Sequence, residues 1–207
     1  MGQRNERNTA TLTTPPPFPS CLLIRLIPMF EALEQQLAGK ESLGSGGVQF
    51  IQSLGLALRF MRAHEEVEKN ILNPAYLTLL GPQGETFVRE CSAFHEKIVP
   101  ALMQMETVAM GMMPSTKEEL HALCEAIAMF TKAFSDHSKE EESKYLPMIQ
   151  AKMDGQGQNT LCADFIREMA AANKRQGLPS PRPSSMAMGM KSGMDMAAAA
   201  AAESYKV

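Results

Sequence analysis

Tryptophan is absent from this 207-residue chain, and aromatic residues make up only 6% of it. β-Branched residues are sparse and scattered, which argues against an extended sheet. No run near the N-terminus is long and apolar enough to span a bilayer, since the stretch at 21–27 is short and broken by Arg25. That stretch also lacks the basic residues directly before it that a secretory signal requires. Glu6 stands where a myristoylation pattern needs Ser or Thr. Basic excess is missing too. The net charge is −3, so there is no electrostatic footprint for nucleic acid. The four cysteines, Cys21, Cys91, Cys124 and Cys162, have no CxxC or comparable zinc spacing. They read as small buried or surface thiols in a reducing, intracellular compartment, with the cytoplasm as the default.

What the chain does have is Leu, Ala, Met, Glu and Lys in amphipathic runs that favour helix. Residues 1–19, with Arg4, Arg7 and many Thr and Pro, read as a disordered leader whose composition would also suit an organelle transit segment. Apolar residues at helical spacing predict a helix over 20–38, with Pro28 as a kink or as its first turn. A second helix is expected over 48–73, stopped by Pro74. A loop at 81–84 precedes a third helix over 85–110, which Pro100 should kink or break. Ser115 and Glu118 read as the capping box of a fourth helix, which ends at Pro147 or bends there and continues to about 153. A short fifth helix is expected over 159–174. These runs predict an all-α protein: an up-down-up-down four-helix bundle over 20–153, a short C-terminal helix within 154–175, and a disordered Met/Ala-rich tail over 176–207. The methionines of that tail, Met186 to Met196, resemble thioether clusters for copper(I), but low-complexity disorder is the reading their composition favours.

Two segments 73 residues apart repeat one pattern. His64 and Glu68 are followed by Leu72 and Pro74; His137 and Glu141 are followed by Tyr145 and Pro147. Histidine and glutamate four residues apart share one helix face, so both can grip a single ion. Both pairs fall in the apolar stripes of their helices, where a core would otherwise place leucine. His95 occupies an inward position of the third helix. His121 falls just off its stripe and reads as surface. Burying two carboxylates beside histidines, with no inward Lys or Arg nearby, calls for a compensating cation. Imidazole and carboxylate without thiolate suit iron, manganese or zinc.

This arrangement resembles the haemerythrin-like, or HHE cation-binding, family. Its pattern is a histidine on helix 1, His-x3-Glu on helix 2, a histidine on helix 3 and His-x3-Glu on helix 4. The second copy here, His137-Glu141-Glu142-Tyr145-Leu146-Pro147, is close to the family form; the first, His64-Glu68-Lys69-Leu72-Asn73-Pro74, is looser. The resemblance covers about 20–153. It implies a non-haem iron centre, of two ions, with His64, His95 and His137 as terminal ligands and Glu68 and Glu141 as bridges. Glu65 is a further candidate oxygen ligand. Helix 1 departs from the pattern. Phe30 lies on its stripe where the histidine is expected, so either Glu31 turns inward or one ion keeps an open position and a weaker site.

The function so implied is binding or sensing of O2, iron or NO, with metal ions and a small diatomic as partners and neither nucleic acid nor membrane among them. Two other readings stand beside it: a diiron oxidase or peroxidase, and a degenerate metal-free bundle used for protein interaction. Beyond the five ligands, no inward acid, tyrosine or nucleophile stands out as substrate-processing machinery, which places the enzyme reading second.

Overall fold

The computed structural model of the chain describes residues 23–179; the leader at 1–19, Cys21 and the methionine cluster of the tail lie outside the described residues. Every regular element among the described residues is helical. Helix α1 (Leu23–Leu37) is followed by a 3-10 turn at Gly44–Gly46 that leads into α2 (Gly47–Val67). A π-helical turn, Glu68–Leu72, joins α2 without a break to α3 (Asn73–Leu80). After Gly81 comes α4 (Pro82–Ala109), then α5 (Lys117–Glu140). A second π turn, Glu141–Tyr145, joins α5 to α6 (Leu146–Lys152), and α7 (Gly155–Arg175) closes the fold.

The result is the expected all-α bundle. Helices α1 and α4 each pack against both α2 and α5, so these four form the walls. Helix α3 packs on α4 and α6, and α7 lies along α2. The interior holds two apolar cores. One is built from Phe30, Phe50, Met61, Ile98, Met105, Phe130 and Phe134 with their neighbours. The other contains Val67, Leu72, Tyr76, Phe87, Cys91, Tyr145, Phe165 and Met169. Full burial of each large side chain contributes about 1.5–3 kcal/mol, so both cores are substantial. Helices α2 and α5 run from the first core to the second, while α4 runs back. His64, His95 and His137 fall on these helices between residues of the two cores, so a polar layer separates the apolar ones.

Expectations about the helices need correction at several points. Pro74 does not stop its helix, which continues to Leu80. The carbonyl that Pro74 leaves without a donor, that of Asn70, lies inside a π turn, where bonding runs from i to i+5, as from Asn73 N–H to the Glu68 carbonyl. Pro147 stands in the same relation to Ser143 in the second π turn. Pro100 does not break α4; it and Glu96 are both exposed, so water can take the orphaned carbonyl. The capping box sits one residue later than read. The Thr116 hydroxyl accepts from Glu119 N–H at 3.1 Å, and the Glu119 carboxylate accepts from the Thr116 N–H at 3.2 Å. Finally, α4 begins at Pro82, because Gly81 alone makes the break with φ +54. Gly84 is thereby helical, and its missing side chain lets α4 approach the Tyr76 backbone, which a β-carbon would overlap. The fifth helix starts earlier than read, since Asp154 caps it by accepting from Gly157 N–H at 2.7 Å.

Candidate metal centre

Each predicted ligand is delivered by a helix for a local reason. His64 is in the last turn of α2, and Glu68 opens the π turn that follows. His137 is in the last turn of α5, and Glu141 opens the second π turn. Single π turns recur at functional sites, and here both start on a glutamate of the repeat. The wider turn shifts the residues after it relative to an ideal α stripe, while leaving His and Glu one turn apart.

Four of the five predicted residues meet around Glu68. His64 Nε2 is 2.7 Å from Glu68 Oε1, His137 Nε2 is 3.8 Å from the same oxygen, and His95 Nε2 is 3.4 Å from Oε2. The candidate ligand atoms of Glu68, His95 and His137 all lie within 4.8 Å of one another. Glu141 is buried beside this group, but one of its oxygens, Oε1, is held by another residue, accepting a hydrogen bond from the Tyr76 hydroxyl at 2.7 Å.

The orientation of these atoms decides their meaning. Both Glu68 oxygens, Nε2 of His64 and of His95, and Glu141 Oε2 are buried and have no hydrogen-bond partner. Simple histidine–carboxylate ion pairs would align N–H with oxygen. Here the approaches are close, 2.7 Å and 3.4 Å, yet meet no hydrogen-bond geometry. Orphaned buried polar atoms of this kind each cost about 1–3 kcal/mol. A cation held by Glu68, His95 and His137, with His64 beside Glu68, would take up several of these orphaned atoms. Among the described residues no Lys or Arg is buried that could serve instead.

The electrostatics follow the same geometry. Burial works against charge on His64, but the Glu68 carboxylate, then Glu141 and Glu65, override it and raise its pKa above the ordinary histidine value. His95 behaves alike, with burial opposed by Glu68 and Glu65. Burial alone would raise Glu68, yet His64, His137 and His95 hold it well below the usual carboxylate range. Glu141 goes the other way: burial, then the charge of Glu68, pushes it up to about 7. One carboxylate is thus held ionised and its neighbour is poised near neutrality.

Aromatic rings set the imidazoles. Phe94 stacks on His137 with centroids 4.4 Å apart, Phe87 lies parallel to the same ring at 6.3 Å, and Phe134 meets His64 edge-on at 5.4 Å. His95 is the predicted ligand whose side chain reaches solvent, 30% exposed, although its Nε2 is buried.

On α1, Glu31 is exposed and Phe30 is fully buried with its ring 4.5 Å from Phe130. Helix 1 therefore supplies no ligand among its described residues, and the inward turn of Glu31 does not occur. Glu65 is partly buried, and its acidity responds first to burial and then to His95 and Glu68, so it borders the group. His121 is exposed, 3.6 Å from Glu125 on the helix surface.

A tyrosine and a thiol accompany the predicted ligands inside the bundle. Tyr76 is fully buried against Glu141, and the buried Cys91 thiol lies 4.0 Å from His137 Nε2. Burial and the surrounding carboxylates raise both of their pKa values, which keeps phenol and thiol protonated. Cys91 was visible on its stripe. Tyr76 lay beyond the proline taken to end the helix, although it continues the stripe one turn after Leu72.

The Hemerythrin HHE cation binding domain is the family whose model matches this chain, over residues 23–149. No curated protein and no solved structure matches it.

Proposed function

Because this chain belongs to the Hemerythrin HHE cation binding family, we propose that it is a non-haem iron protein that binds or senses O2, NO or iron itself. The metal would be held by His64, Glu68, His95, His137 and Glu141, with the bundle over 20–153 as the binding domain and the helix after it as a brace. One observation carries the reading. The Glu68 oxygens and the Nε2 atoms of His64 and His95 are buried, mutually close and without hydrogen-bond partners.

Nitrogen and carboxylate donors of this mix suit iron, with manganese and zinc as competitors. Ferrous iron held there would offer a coordination position to a small diatomic, in keeping with the absence of a histidine from α1. The protein's own part is to orient and to exclude water. Phe94 and Phe87 hold the His137 ring face-on, Phe134 walls the His64 side, and His95 is the partly exposed member of the group. Glu68 supplies the fixed negative charge that a cation requires, since its histidine neighbours keep it ionised.

The test is elemental analysis of aerobically purified protein together with visible absorption before and after anaerobic reduction. About one or two iron atoms per chain are expected, with the signal lost in Glu68→Ala while helicity is retained. A folded protein that takes up no iron, manganese, zinc or cobalt after chelation and repletion would sink the reading.

A further inference from the structure

Among the buried positions at which the two copies of the repeat differ, one places a hydroxyl directly on a candidate ligand. Moving 73 residues along the chain carries His64 onto His137, Glu68 onto Glu141 and Tyr76 onto Ile149. Tyr76 and Ile149 are both completely buried, so each fills its half of the interior, but only one of them carries a hydroxyl. The Tyr76 hydroxyl donates to Glu141 Oε1 at 2.7 Å. Both Glu68 oxygens, by contrast, lack a hydrogen-bond partner and face imidazoles.

We infer that Tyr76 is a positioning residue that leaves Glu141 a single metal-facing oxygen, Oε2, so that Glu68 alone is equipped to bridge two ions. This rests on the reading that the cluster holds metal, and it departs from a centre with two equivalent bridging glutamates. A bridging carboxylate gives one oxygen to each ion. Oε1 of Glu141 keeps a second lone pair, but a phenol proton already sits on it and lowers its value as a donor. The carboxylate's orientation is also tied to a ring that cannot swing away. Tyr76 meets Phe87 edge-on at 4.5 Å and Tyr145 at 6.2 Å, and its backbone is pressed by Gly84 of α4. Oε2, buried and unpartnered, is the oxygen left for a cation. The consequence is an asymmetric centre, with one tightly held ion around Glu68 and a second one held less well.

The test compares wild type with Tyr76→Phe in cobalt(II) titration calorimetry and in difference infrared spectroscopy of the carboxylate stretches. Glu141→Gln identifies the Glu141 bands by their loss. Wild type should show two unequal affinities and the wide antisymmetric–symmetric separation of a one-oxygen carboxylate. Removing the phenol should tighten the second cobalt by roughly ten- to a hundred-fold, the worth of a hydrogen bond to a charged group, and narrow the separation toward a bridging pattern. Uniform 3-fluorotyrosine labelling strengthens the phenol donor without removing it, and should weaken the second cobalt several-fold even if Tyr76→Phe does not fold. Unchanged affinity and unchanged bands in both altered proteins would overturn the inference. So would a phenolate-to-iron charge-transfer band in the ferric wild type that Tyr76→Phe lacks, since Tyr76 would then be a ligand itself. A wild type that takes up no cobalt at all would instead bring down the metal reading on which the inference rests.

Discussion

Replacing Glu141 by Gln should make the metal-free protein more stable at pH 8 and leave it nearly unchanged at pH 4.5. Glu141 is 1% exposed, and burial with the neighbouring Glu68 charge raises its pKa from 4.5 to about 7. An upward shift means that the folded chain binds the proton more tightly than the unfolded chain does. The stability it contributes is fully present below pH 4.5 and is lost as the pH climbs through 7. At about 1.4 kcal/mol per pKa unit, the loss reaches roughly 3 kcal/mol by pH 8. Glutamine has nearly the same shape, can still accept from Tyr76, and carries no charge to repel Glu68. The assay is urea unfolding of chelator-treated wild type and Glu141→Gln at pH values from 4.5 to 8. The difference between them should open progressively in favour of the variant as pH rises. Adding iron or cobalt should reverse the order, because a bound ion stabilises only the chain that binds it well. Two stability curves that run parallel across this range would refute the placement of Glu141 next to an ionised Glu68.

Other parts of the fold yield simpler expectations. Gly84→Ala should cost about 1–3 kcal/mol by thermal unfolding, because the added carbon overlaps the Tyr76 carbonyl and α4 must shift. Thr116→Ala should cost about 1 kcal/mol in the same measurement through loss of the capping bond to Glu119. In α7, Met169→Ala should cost about 2–5 kcal/mol, since that side chain is 2% exposed in the second core. Arg175→Ala should leave the unfolding temperature nearly unchanged although Arg175 lies 2.7 Å from Glu66 and 2.6 Å from Glu168, because half of its side chain is in water.

Helix periodicity made the bundle legible, because each wall must bury one stripe and no extended alternative competes for those residues. The five candidate ligands were legible for the same reason, as polar groups interrupting greasy stripes at helical spacing. What periodicity could not convey was the π turn. A hydrogen bond that skips one residue leaves no mark in composition, so Pro74 read as a stop and Tyr76 was lost from view. Pro100 left a break open for a related reason, since only the exposure of its surroundings determines whether an orphaned carbonyl finds water.

The chain by itself determined an all-helical bundle, the histidine–glutamate repeat and its likeness to a cation-binding family, because burial, spacing and charge are local properties of the residues. Only the packed structure decided that Glu68, and not Glu141, sits among the imidazoles, that Phe30 closes α1 to metal, and that Tyr76 claims an oxygen of Glu141. Each of these depends on which side chain from a distant helix arrives first at a given atom, and sequence spacing within one helix carries no record of that.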